Sequence, residues 1–182
     1  MSVRRNGFSI VELAVALAIL MILTAIAVPG FLRAKIAANE SACITTMRAT
    51  AKGQNTYFDA FGSFANSLDN LGGDAGTCAG GTFTMTNACI LEPAITTGAY
   101  TKAGYVYNLG GTVATTMPGS ASMFYMGFEA NGTPTVYGST GSRSYCVDAS
   151  GTIRFADGAA PIGIAASNCA NIADVPGVSG AL

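Results

Sequence analysis

The sequence contains no histidine. That removes the commonest general base and the commonest metal ligand. A Ser-His-Asp or Cys-His arrangement therefore cannot form within the chain. No C-x-x-C pair occurs among Cys43, Cys78, Cys89, Cys146 and Cys169, so a zinc site or a thioredoxin-like motif has little support. Phosphate loops and dinucleotide fingerprints are missing too. The glycine pairs lie in polar stretches rather than at strand-to-helix turns. Charge is scarce at 10% of residues, and no Lys/Arg cluster exists beyond Arg4 and Arg5. A broad basic face for nucleic acid is excluded. These absences argue against an enzyme, a cofactor and a bound metal. Two sets of oxygen donors, Asp69-Asn70 with Asp74 and Asp148 with Asp157, suit calcium in principle. Solvated turn residues are the simpler reading, and no metal site is assigned.

What is present is apolar and unevenly spread. Half of the 182 residues are hydrophobic, which excludes a disordered chain. Much of this apolarity lies in the first 32 residues; the remainder is rich in Gly, Thr, Ser and Ala. No residue from Leu13 to Leu32 is charged. As a helix those positions span roughly 30 Å, the thickness of a bilayer core. Arg4 and Arg5 precede them, so the positive-inside rule keeps the N-terminus cytoplasmic. Three readings compete. A secretory signal could end at Ala25-Ile26-Ala27. A plain membrane anchor leaves Glu12 unexplained. The third is cleavage before the apolar stretch, which stays on the mature chain.

From Arg33 to about Phe61 the pattern is amphipathic. Ile36, Cys43, Ile44, Met47, Ala51, Phe58 and Phe61 fall near one face, and Gly62 is a stop signal. Pro29-Gly30 predicts a kink between the two helix halves. Residues 66–98 read as a long loop with a short element around Phe83–Leu91. Later segments alternate: Gly104–Leu109 ending at Gly110-Gly111, Ser122–Glu129 followed by an Asn131-Gly132 turn, and Tyr145–Asp148 with Thr152–Phe155 around Ala149-Ser150-Gly151. The fold expected is α+β, a long N-terminal helix packed on an antiparallel sheet of three to four strands. Its divisions are residues 1–7, 8–32, 33–62 and 63–182. An export segment favours disulfides. Cys78 and Cys89 can close the loop, worth around 3 kcal/mol on loop entropy. Cys146 and Cys169 can tie the last strand to the tail. Four cysteines allow three pairings. Cys43 reads as a buried apolar residue, or as the partner of a loop cysteine.

The run Gly7-Phe8-Ser9-Ile10-Val11-Glu12-Leu13 resembles the cleavage and methylation motif of type IV pilins and type II secretion pseudopilins. The resemblance implies cleavage between Gly7 and Phe8 by a prepilin peptidase, and N-methylation of Phe8. It gives Glu12 a role in assembly and also matches Pro29-Gly30. Met21 departs from it, since many members have Gly there. The C-terminal cysteines resemble the disulfide-bounded loop of type IV pilins, with residues 147–168 exposed inside it. Function then reads as a structural subunit of a homo-oligomeric helical filament. The subunit waits in the lipid bilayer of the bacterial inner membrane, is handled by an assembly platform, and ends in an extracellular pilus. A periplasmic pseudopilus is the near alternative. A membrane-anchored or secreted binding module is the alternative of another class.

Overall fold

The computed structural model describes residues 8–73, 78–81, 83–91, 100–116, 123–164, 168–174 and 179–182. The chain forms two units, residues 1–35 and 36–182. The first unit holds the start of helix α1, Ile10–Phe61. Ser9 caps it: its hydroxyl accepts the Val11 N–H at 3.3 Å, and its carbonyl accepts the Leu13 N–H at 3.1 Å. Helix α1 continues through Pro29 and Gly30, so Pro29 does not end it. Thr24 Oγ1 donates to the Met21 carbonyl at 3.0 Å, which satisfies its hydroxyl without leaving the helix.

In the second unit α1 turns one face to a sheet. Its buried residues are Cys43, Met47, Thr50, Gly53, Gln54 and Tyr57, so spacings of four and three carry the seam. Of the amphipathic stripe read from the sequence, Cys43 and Met47 are in the core, while Ile36, Ile44, Ala51, Phe58 and Phe61 are half-buried, with Ile44, Ala51 and Phe61 packed against the core's edge. Thr50 and Gln54 are interior because their polar groups find partners. Gln54 Nε2 donates to the Ala65 carbonyl and its Oε1 accepts the Ala65 N–H, both at 2.9 Å. The side-chain amide thereby replaces a backbone partner for the returning chain. Helix α1 stops at Gly62, whose φ of +68° closes the last turn through its N–H to the Phe58 carbonyl at 2.8 Å.

Helix α2 is a single turn, Leu68–Leu71. The sheet follows as β1 Tyr100–Lys102, β2 Tyr105–Thr116, β3 Met123–Pro134, β4 Arg143–Asp148, β5 Ile153–Asp157 and β6 Ser179–Ala181. It is a six-stranded antiparallel meander in chain order. The class is therefore α+β, with more strands than the sequence suggested. β1 and β6 are three residues long, too short for alternation to show. Alternation decides the faces of the rest. Tyr105, Tyr107, Phe128, Ala130, Tyr145, Val147, Ile153 and Phe155 join Cys43, Met47 and Tyr57 in one core.

Two turn assignments are corrected. Gly110 and Gly111 lie inside β2, and Asn131 and Gly132 inside β3, where they pair with Asn108 and Tyr107 on one side and Cys146 and Tyr145 on the other. Glycine there makes room rather than a turn. A Cβ on Gly111 would stand 2.4 Å from the Tyr125 ring, and one on Gly132 would stand 2.6 Å from Cys43 Sγ. By contrast, the β4–β5 turn is as read. Asp148 Oδ1 accepts from the Ser150 N–H at 2.8 Å and from its hydroxyl, and Gly151 has φ +76°.

Candidate functional site

The N-terminal helix is unlike the core just described. Ile10, Val11, Leu13, Ile22, Ile26 and Phe31 are all exposed, and α1 is long and apolar enough to cross a membrane. An apolar surface of this extent is stable only against lipid or against other helices. Phe8 is 85% exposed at the start of the segment. Glu12 is the acidic residue of the first turn, where the helix N-terminus favours a negative charge. Ser9-Ile10-Val11-Glu12 has the spacing of a capping box. Ser9 was missed as a helix-starting residue, and that spacing is the signal that points to it. Gly7 lies outside the described residues.

In the second unit, Cys78 is joined to Cys89 and Cys146 to Cys169. Cys43 remains a free thiol, fully buried. Burial, foremost, pushes that thiol up to about 12, with the nearby Glu40 carboxylate adding to the effect. Glu40 itself accepts from the Ser142 N–H at 2.9 Å, the Ser142 hydroxyl at 2.6 Å and the Tyr145 hydroxyl at 3.4 Å. It pins the spine to the β3–β4 connection. The Tyr105, Tyr107 and Tyr145 hydroxyls are likewise held above the ordinary phenol range, chiefly by burial. This polar group inside the core is structural. A thiol reagent at pH 8 should find no reactive cysteine in the folded, unreduced protein and one per chain in denaturant. Two or more thiols after denaturation would contradict the two bridges.

The segment between Cys146 and Cys169 is not exposed throughout. Val147, Ile153 and Phe155 are buried, because the end of β4 and all of β5 lie within it. The two aspartates considered together for calcium are also separated. Asp157 stands opposite Arg143 at one end of the hairpin, with Arg143 Nε 3.1 Å from its Oδ1, while Asp148 sits in the turn at the other end. Asp74 lies outside the described residues. No group of three or more acidic or thiol ligands forms among the described residues.

Comparison with known proteins fits the N-terminal geometry. Residues 3–28 match the family model described as the prokaryotic N-terminal methylation motif. The chain thus carries a prokaryotic N-terminal methylation motif over residues 3–28. Over 68 residues it is 34% identical to the type IV major pilin protein PilA of Myxococcus xanthus strain DK1622. That alignment covers 36% of this chain and 31% of the relative, so the match spans about a third of the relative's length. No solved structure matches.

Proposed function

We propose that this chain is a structural subunit of a type IV pilus-like filament, assembled from a membrane pool through its N-terminal helix. The observation that carries the reading is an apolar, exposed helix start joined to a methylation motif. A prepilin peptidase cuts after Gly7 and methylates Phe8. The membrane holds the helix until an assembly platform extracts it. In the filament, lipid is replaced by neighbouring helices, and Ala14, Ala16, Ala18, Ala25 and Ala27 permit close approach. Lipid tails are as apolar as the helices that replace them. The exchange therefore has little hydrophobic driving force and needs an external motor. Pro29 lacks the N–H that would close its turn, and with Gly30 it lets the helix bend there during packing.

The periplasm and the cell exterior are both oxidising, so it is the likeness of the Cys146–Cys169 bridge to the disulfide-bounded C-terminal loop of type IV pilins that favours an extracellular fibre over a periplasmic pseudopilus. Electron microscopy of material sheared from cells should show fibres that contain this chain and vanish on its deletion. Fibres confined to the periplasm would assign it to a pseudopilus. A secreted chain that begins near Val28 would assign it to the binding-module class.

A further inference from the structure

Glu129 in β3 is a buried acid with one satisfied oxygen. It is 1% exposed. Its Oε1 accepts the Cys169 N–H at 3.1 Å, and its Oε2 has no hydrogen-bond partner among the described residues. A buried carboxylate oxygen left unpaired is costly. Asp148 on β4 stands directly opposite, a second acid on the same face, where like charges are destabilising. Arg154, opposite Cys146, shares that face. It is turned instead to the tail, donating to the Ile172 carbonyl at 3.3 Å and lying 3.8 Å from Asp174.

What covers Glu129 is the connection from β5 to β6, and the cover is strained. Gly163 lies over Cys146 and Glu129: a Cβ there would stand 3.2 Å from Cys146 Cβ and 3.8 Å from Glu129 Oε2. Ile164 follows it. Its Cγ2 would stand 3.0 Å from a Cβ on Gly110, the residue opposite Glu129 on β2, so it occupies the gap that this glycine leaves. Gly163 has φ +83° and Ile164 has φ +62°. That left-handed region suits glycine and is unfavourable for a β-branched side chain. The connection is held at both ends by the sheet, since β5 and β6 pair with each other. Between those ends Cys169 is joined to Cys146.

We propose that this connection is a redox-sensitive strap: the Cys146–Cys169 bridge holds it down over Glu129, and reduction of that one bond lets it lift while the sheet stays paired. A dithiol drives the opening. One of its sulfurs displaces a cysteine sulfur and forms a mixed disulfide; its second sulfur then closes on the first. The dithiol leaves as its own disulfide, and Cys146 and Cys169 take up its two electrons and two protons as thiols. Opening returns Glu129 to water and frees Ile164 from its left-handed conformation. Both gains work against the bridge, whereas the Ile164 contact and the Cys169 N–H bond work for it. A disulfide-bearing oxidant reverses the same steps, so the strap shuts only where thiols are oxidised.

The test equilibrates the full-length chain, in detergent micelles, with graded ratios of reduced to oxidised dithiothreitol. Thiols are then alkylated and mapped by peptide mass. Glu129→Gln should need a ratio at least tenfold higher than the parent to open Cys146–Cys169, with Cys78–Cys89 unchanged. The amide keeps an acceptor for the Cys169 N–H and leaves an unpaired N–H where the parent leaves an unpaired carboxylate oxygen, which is the smaller penalty. A second chain carrying Cys146→Ser and Cys169→Ser is open permanently. Its amide deuterium uptake at residues 158–164 and 168–172 should rise at least tenfold over the oxidised parent, with β2 and β3 unchanged. Equal opening ratios in Glu129→Gln and the parent overturn the proposal. So does an open chain whose residues 158–164 and 168–172 stay protected. Loss of protection through β2 and β3 as well overturns it too, since the bridge would then hold the fold rather than a strap. If Glu129→Gln does not fold, the exchange measurement decides alone.

Discussion

Replacing Glu12 with Ala should leave a chain that is inserted and trimmed at normal levels yet yields no filament, a loss of at least a hundredfold in sheared fibre. Cleavage after Gly7 would create an α-amino group on Phe8, with a pKa near 8 and so charged at neutral pH. In a filament core, where neighbouring helices replace lipid, that charge needs a partner. Glu12 is the acid nearest in sequence, one turn into α1. Its service to its own helix, through the first-turn dipole, is worth only about 0.3–1 kcal/mol. An unpaired charge in low dielectric costs several times that. The cost of the stranded ammonium outweighs the loss to the helix, so the variant should fail at assembly rather than at folding. Glu12→Asp should restore part of the yield, because it keeps the charge and shortens its reach. Blotting for the processed form in the membrane, beside the sheared fraction, separates the steps. Normal fibre from Glu12→Ala would show that Glu12 only marks the membrane edge.

Gly132→Ala should lower the stability of the folded unit by about 2–3 kcal/mol, a fall in melting temperature of roughly 5–10 °C. The added Cβ would meet Cys43 Sγ at 2.6 Å and the Tyr107 ring at 3.2 Å. It has nowhere to go, because Gly132 is held by β2 on one side and β4 on the other. Cys43→Ala removes the closer obstacle. Alone it leaves a small cavity and costs about 1 kcal/mol. Combined with Gly132→Ala it should recover about 1–2 kcal/mol of the loss, a coupling that independent sites do not show. Urea or thermal unfolding of the four chains in detergent measures it. Additive losses would mean that the strand shifts instead of clashing.

This pair also shows what the sequence makes legible and what it hides. The apolar surface of the helix's first half follows from Leu13–Leu32, where periodicity is irrelevant and composition suffices. The Ser150-Gly151 turn is local chemistry and is likewise readable. Asn131-Gly132 has the same local form as a turn, yet becomes the middle of β3. The reason is tertiary: Cys43 on a helix about ninety residues earlier requires the absence of a side chain there. Thr50 and Gln54 break the apolar stripe for a similar reason, since Ala65 supplies a distant partner for Gln54. Glu129 gave no signal at all. A lone acid in an alternating run reads as solvent-facing, and only the Cys169 segment folding over it makes it buried.

Intact-mass measurement of the chain recovered from sheared filaments bears most directly on the retained helix. The mass should correspond to a chain that begins at N-methylated Phe8 and carries two disulfides. A mass beginning near Val28 would mean that the apolar segment is discarded, and the helix could not then serve as the polymer's interior.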